Sequence, residues 1–479
     1  MTKEGLVSFC TSASSLPRQF GVVLTSFLHQ PGLPFSGALS AEKIQAAFDE
    51  HDVAFASEED HIYSPSVTLW AFLSQVLFKE EQRSCAAAVS RVIVLLLSLG
   101  QKPPSGNTGA YCRARAKLPV PVIRSLACQV AEGCEQAVPE EWLWNGRHVK
   151  LVDGSTISMP DTQANQEEYP QHNVQRKGLG FPIARIVVLV SLATAMVRDM
   201  AIGPYAGKET GETALLRELT GRLKPGEILL ADRYYCSYFQ FCLLKASKVD
   251  FVARLHHLRS CDFRRGKRLG AGDHVVEWTR PAKPTWMDQA TYERMPGSIQ
   301  LREVEVLVRQ RGFRTRSLVV VTTLLDARKY SGDDLAELYH RRWLVELDIR
   351  SIKVSMGMDV LRSMSPEMVR REIWTCLLAY NLIRQTMLEA ALRSERSPRQ
   401  LSFAAAMQKI AAGWTVVLLV DDPILARFIE EHLDDLAKQK VGHRPNRVEP
   451  RAIKRRAKSH KLLTKPRDQA RADLLAASP

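Results

Sequence analysis

Residues 148–161 read HVKLVDGSTISMPD. The apolar run Val149 to Val152 is a short strand that ends on Asp153, with Gly154 and Ser155 behind it. A second run, EILLADRYYCS at 227–237, carries a strand from Ile228 to Ala231 and ends on Asp232. Each acid therefore follows a buried-looking strand at its C-terminal tip, where open α/β sheets place their ligands. A single Asp-Gly after a strand is more often a turn. Two strand-end aspartates carry more weight, and the segment YHRRWLVELDIRSIK at 339–353 gives them a partner.

Wound as a helix at about 100° per residue, that segment sets Arg342 at about −60°, Glu346 at about −20° and Lys353 at about −40° from Tyr339. A phenol, a carboxylate and two cations share one stripe. Leu338, Val345, Ile349 and Ile352 form an apolar seam beside it that docks the helix on a core. Glu346 is thus expected at the edge of a cleft. The same spacing also serves a plain solvated face with an Arg342–Glu346 pair at i,i+4. Hard cations such as Mg²⁺ take carboxylates from separate elements and keep positions for water and substrate. Asp153, Asp232 and Glu346 can supply that set.

These residues resemble the DDE transposases of bacterial insertion sequences, in the insertion-sequence-four type. Tyr339, Arg342, Glu346 and Lys353 match the Y-x(2)-R-x(3)-E-x(6)-K signature without a gap. Asp153-Gly154-Ser155 matches the D-G-[ST] segment of the first acid, and Asp232-Arg233-Tyr234-Tyr235 the D-R-x-Y-like segment of the second. The loop MPDTQANQEEYP is also similar, through Asp161, Thr162, Asn165 and Tyr169. The resemblance covers about residues 105 to 465 and is weak at the amino terminus.

Composition fits a DNA enzyme. The 479 residues exceed one ordinary core, and the net charge of +14 favours a polyanionic partner. The longest apolar runs, Val92 to Leu99 and Ile186 to Val197, are too short to span a bilayer, and no secretory leader opens the sequence. A cytoplasmic, nucleoid-associated protein with no membrane partner is expected. The nine cysteines are scattered, with no CxxC pair and no His/Cys metal spacing, so reduced thiols are expected, Cys242 and Cys376 in the core. There is no G-x-x-x-x-G-K-[ST], H-E-x-x-H or G-x-S-x-G, which sets aside P-loop nucleotide hydrolases, zinc proteases and serine hydrolases.

The expected fold class is α/β. Residues 1–135 read as a helical N-terminal region, with apolar stretches at Phe20 to Leu28, Val67 to Leu77 and Ala86 to Leu99. By resemblance this region recognises the element's ends; the bland alternative is a helical support. Residues 140–257 and 326–395 form the catalytic domain. In it, strand 148–153 is followed by a hairpin of 183–192 and 196–202, helix 212–223, strand 227–232, helix 237–246 and strand 249–254. Thr194-Ala195 is a poor hairpin turn, lacking glycine. This order matches the RNase H-like fold that the resemblance implies. Residues 258–325 read as an inserted β subdomain, with runs at 274–278, 303–308 and 317–325. A buried helix at 365–388 and C-terminal helices within 396–437 follow. The basic tail, 438–479, carries thirteen Lys/Arg against two acids up to residue 471. It is read as extended, with Lys454, Arg455, Arg456 and Lys458 foremost for phosphate contact over a merely solvated end.

The resemblance implies metal-dependent cleavage at transposon ends and transfer of the 3′-hydroxyl ends into target DNA, in a cut-and-paste reaction. Asp153, Asp232 and Glu346 would hold two Mg²⁺ ions, for which Mn²⁺ can substitute, about 3.5–4 Å apart. Tyr339, Arg342, Arg350, Lys353 and Arg233 would grip phosphates. Trp278 and Trp286 are candidates for base stacking, worth about 1–3 kcal/mol per base, or are core tryptophans. The partners would be double-stranded DNA, as terminal inverted repeats and target, and a second copy of the chain in a homodimer. Two other readings stay open from sequence: a nuclease of this fold without strand transfer, and an inactive DNA-binding inhibitor.

Overall fold

The computed structural model describes residues 65–98, 102–307, 317–394, 396–413, 422–442 and 464–476, with a few isolated positions before them. The stretch Phe20 to Leu28 and the tail residues Lys454, Arg455, Arg456 and Lys458 lie outside the described residues.

A sheet with helices on both faces organises the chain. Among the described residues four α-helices precede it: α1 (Pro65–Leu77), α2 (Cys85–Ser98), α3 (Gly109–Lys117) and α4 (Val120–Gln136). Then come β1 (Val149–Ser158), the short α5 (Gln163–Glu168), β2 (Ile183–Ser191), β3 (Val197–Pro204), α6 (Glu212–Leu219), β4 (Ile228–Ala231), α7 (Tyr238–Ala246) and β5 (Asp250–Arg254). Four further strands, β6 (Lys267–Gly270), β7 (Asp273–Thr279), β8 (Ser298–Leu307) and β9 (Ser317–Thr322), follow, with α8 (Gln289–Arg294) between β7 and β8. The order across the sheet is β3-β2-β1-β4-β5-β9-β8-β7-β6. β1, β4 and β5 run parallel, and the other pairings are antiparallel.

Alternation along the strands feeds two cores. Leu151, Ile186, Val188, Leu230 and Val252 face one, and Val152, Val187, Leu189, Leu229 and Phe251 face the other. Burial on both faces is what turns these strands into nearly continuous apolar runs. The first core is built around α11 (Pro366–Arg393), which starts with Pro at its N-terminus and is buried on all sides for most of its length. α1 to α4 share that core, so the N-terminal helices pack with the sheet rather than standing apart.

Two expectations need revising, and the expected hairpin gains a physical reason. β1 does not stop at Asp153: it runs to Ser158, because β2 supplies a ladder along its polar half, Asp153 facing Val188. The strands of 258–325 do not form a sheet of their own, since β9 pairs with β5 and continues the central sheet. The hairpin closes without glycine because Ala195 itself adopts φ 62°, and the Tyr380 hydroxyl donates to its carbonyl at 2.8 Å.

The segment 332–355 is not one uniform helix. α9 (Gly332–His340) opens on a capping box of Ser331 and Asp334. A 3₁₀ turn over Arg341–Trp343 leads into α10 (Leu344–Arg350), and a π turn over Ser351–Ser355 ends it, with Met356 N–H donating to Ser351 at 3.1 Å. A constant 100° per residue therefore fails past Arg350. The apolar seam survives: Leu338, Val345, Ile349 and Ile352 are all buried. Beyond α11 lie α12 (Phe403–Gly413), α13 (Asp422–Lys438) and α14 (Arg467–Ala476). No helix among the described residues is long and apolar enough to cross a membrane.

Candidate active site

Register brings the two aspartates level. β1 and β4 pair in parallel as Val149↔Ile228, Lys150↔Leu229 and Leu151↔Leu230. The pairing ends at Leu151 and Leu230; continued two residues, the same offset would match Asp153 with Asp232, just past β4, in step with Leu151 and Leu230. The face of Leu151 and Leu230 is the one on which Val345 and Ile349 of α10 are buried.

The third acid arrives on α10. Arg342 donates to Glu346 Oε1 at 2.8 Å, and its other terminal nitrogen lies 3.9 Å from Asp153 Oδ2. Asp232 is near enough to act on both Arg342 and Tyr339. Burial works against the guanidinium's charge, but Glu346, Tyr339 and Asp232 outweigh it and raise its pKa. The plain i,i+4 pair is thus present, and it sits on the acids rather than on a solvated face.

Asp153 is pushed up to about 6, first by burial and also by the charges of Glu212 and Glu346, against the Gly154 N–H bond and Arg342. Glu212 went unread in the sequence. It begins α6, accepts from the Tyr235 hydroxyl at 3.1 Å, and covers Gly154 so closely that a Cβ there would stand 2.3 Å from its Cδ. A side chain at 154 would push the Glu212 carboxylate aside. No motif marks Glu212; only the fold brings it to the site.

Other expected residues divide. Tyr339 is buried, and burial raises its phenol's pKa well above the usual range. Lys353 donates to Ser155 Oγ at 3.0 Å and the Thr156 carbonyl at 2.6 Å, bracing the π turn against β1. Arg233 and Arg350 are exposed. Trp278 is a core residue: its ring is buried, lies edge-on to Phe241, and donates Nε1 to Glu303 at 3.0 Å. Trp286 is half-buried against the second core, with the Arg217 guanidinium 3.9 Å over its ring. Core packing has claimed Trp278, and Arg217 takes one face of Trp286. Trp343 (52% exposed) and Tyr234 (53% exposed), next in sequence to Arg342 and Arg233, are the open aromatics here. The loop residues Asp161, Thr162 and Asn165 are ties: Asp161 pairs with Arg467, and Thr162 and Asn165 bond the carbonyls of Met364 and Ser363.

The donor set suits a hard cation. Four carboxylates, on β1, at the end of β4, on α6 and on α10, lie near one another, all oxygen donors, and Asp153 is raised first by burial and then by the charges of Glu212 and Glu346. In the described structure the oxygens of Asp153, Asp232 and Glu346 do not all come within 4.8 Å of one another. Arg342 supplies the neutralising charge between Asp153 and Glu346. Such a site belongs to enzymes that move phosphoryl groups with divalent metal.

Comparison with known proteins agrees. Residues 144–382 match the family described as the transposase DDE domain. The transposase InsG for insertion sequence element IS4 of Escherichia coli (strain K12) is 27% identical over 403 residues, covering 81% of this chain and 84% of that one. The transposase for insertion sequence element IS421 of Escherichia coli is 35% identical over 65 residues, 14% of this chain and 18% of its own. A piggyBac transposase synaptic complex with hairpin DNA, seen by cryo-electron microscopy, aligns at a TM-score of 0.42 and 9% identity over 90% of this chain and 87% of that one. The chain belongs to the DDE transposases, in the insertion-sequence-four type. Its activity is that of a transposase, DNA cleavage and strand transfer, and the family is generally dependent on divalent metal.

Proposed function

We propose that Asp153, Asp232 and Glu346 are the catalytic carboxylates of an RNase H-like core and act on the terminal inverted repeats of a mobile element. The observation that carries this is the parallel register of β1 and β4, whose offset, continued two residues beyond Leu151 and Leu230, matches Asp153 with Asp232. The order β3-β2-β1-β4-β5, with three antiparallel strands followed by two parallel ones, supports the fold. The metal is Mg²⁺, as two ions, with Mn²⁺ able to substitute; bound there, it supplies an activated attacking oxygen and a stabilised leaving oxygen.

The chain's own groups do the rest. Arg342 exchanges its carboxylate contacts for the scissile phosphate, whose oxygens its planar fork fits in pairs. Tyr339 packs beneath it and keeps water from its inner side. Arg233 and Arg350, exposed beside the acids, take flanking phosphates, and Lys353 takes one near β1. Base stacking passes to Trp343, the open aromatic beside Arg342. Residues 1–135 serve end recognition, with α1 to α4 packed on the catalytic core, the strands of 258–325 extend its sheet, and the tail residues Lys454, Arg455, Arg456 and Lys458 add phosphate contacts. A homodimer bridges the two ends, in the bacterial cytoplasm.

The test is an excision and joining assay on the DNA flanking the gene, searched for inverted repeats, with Mg²⁺ or with EDTA. Metal-dependent excision followed by joining to a plasmid, lost in Glu346→Gln while end binding persists, is the expected result. Normal cleavage by Glu346→Gln would overturn the assignment of the acids.

A further inference from the structure

Away from the carboxylates, one cluster in the extended part of the sheet has the donors of a different metal. His274 on β7 and Glu303 on β8 are direct cross-strand partners, and their side chains are nearly inaccessible, 1% and 5% exposed. Cys261, in the loop after β5, reaches them. Its Sγ lies 3.7 Å from His274 Nε2, which lies 3.0 Å from Glu303 Oε2. Among the described residues this is the one group of three or more His, Cys, Asp or Glu ligands whose atoms all lie within 4.8 Å of one another.

The geometry suits tetrahedral zinc. Ordinary Zn–S, Zn–N and Zn–O lengths would set sulfur and nitrogen about 3.6 Å apart, and nitrogen and oxygen about 3.4 Å apart. The surroundings suit it too. His274 Nδ1 lies 2.7 Å from the Arg265 carbonyl oxygen, so Nδ1 carries the proton and donates there. Nε2 then faces a second acceptor, Glu303, although a neutral imidazole has no proton left for it. A backbone carbonyl holding the far nitrogen is how metal-bound imidazoles are oriented. Trp278 Nε1 donates to the other oxygen of Glu303 and fixes that carboxylate as well.

We propose that Cys261, His274 and Glu303 bind one zinc ion, with water as the fourth ligand, pinning the loop after β5 to the strands β7 and β8. The thiolate and imidazole favour a borderline cation over Mg²⁺, which keeps this site apart from the oxygen-lined catalytic centre. The spacings in sequence, 261 to 274 to 303, match no metal motif, because the ligands come from a loop and two paired strands.

The full chain, purified from zinc-supplemented culture and dialysed, is assayed for zinc by plasma mass spectrometry and, after exchange, for the near-ultraviolet thiolate-to-cobalt absorption of bound Co²⁺. Expected is about one zinc per chain in wild type and in Glu346→Gln, with zinc and the cobalt band both lost in Cys261→Ser and His274→Asn. Zinc retained at wild-type level by Cys261→Ser overturns the proposal. So does wild type that holds no zinc, which leaves a protonated His274 paired with Glu303. Should the variants fail to fold, the cobalt spectrum of wild type decides: no thiolate band, no site.

Discussion

Glu346 and Asp348 stand two residues apart on α10 and put the carboxylate to opposite uses. Asp348 is 2% exposed and takes Arg384 at 3.0 Å and two nitrogens of Arg399 at 3.2 and 2.9 Å. Arg399 also bonds the carbonyls of Ser191 and Leu192, so this acid ties α10 to α11 and to the β2–β3 hairpin. Glu346 is 34% exposed and pairs with Arg342, which it shares with another acid. An acid satisfied on every side fixes a helix. An acid left open among like charges is available to a ligand.

The largest effect that would test the contrast is on catalysis. Glu346→Gln is expected to lose roughly a thousandfold or more in cleavage rate, the several kcal/mol of transition-state stabilisation a metal ligand supplies. Its melting temperature should not fall, since a like charge is removed. Asp348→Ala is expected to do the reverse. It leaves Arg384 buried without its acid, at a cost of about 3–5 kcal/mol, read by chemical denaturation. If Asp348→Ala proved as stable as wild type, the contrast would be broken.

Glu389 sharpens it with a third kind of acid. It lies buried on α11, beside Gln385 and within reach of the Arg393 charge, and burial pushes its carboxyl up to about 8 from 4.5. The folded form therefore keeps a proton that the unfolded chain sheds above 4.5. The stability this gives is full below 4.5 and drains away as pH rises towards 8. Between about pH 5 and pH 7 the loss should approach roughly 2–3 kcal/mol. Glu389→Gln should flatten that slope. An equal slope in the variant would place the drain elsewhere.

What the sequence disclosed and what it hid divide along the same lines. The strands at 149–152 and 228–231, the hairpin and the seam of Leu338, Val345, Ile349 and Ile352 announce themselves by apolar pattern, because burial on a face leaves a period. Asp232 stands at a strand end and Glu346 on the helical stripe, as read, while Asp153, found as the end of an apolar run, lies inside β1. The extension of β1 to Ser158 left no pattern, since its polar half depends on pairing with β2. The π turn after Arg350 left none either, as backbone bonding is not written in side-chain periodicity. Glu212, and the meeting of Cys261, His274 and Glu303, come from long-range packing. Trp278 and Trp286 show the converse: a tryptophan's composition does not say which of its faces is covered.

Lys353 gives the smallest effect and the finest cut between a residue that builds the site and one that uses it. Its ammonium braces the π turn through Ser155 and Thr156, two and three residues past the first acid. Burial, against the Asp359 charge, lowers its pKa, which records a cation short of compensating charge. A DNA phosphate would supply that charge. Lys353→Ala should then weaken binding to the element's end, and the slope of log affinity against log salt should fall by about 0.9, one phosphate contact. A brace alone would lower the melting temperature and leave the slope as it was. Because both measurements are made on one variant, an unchanged slope would remove Lys353 from the DNA surface while keeping it in the fold.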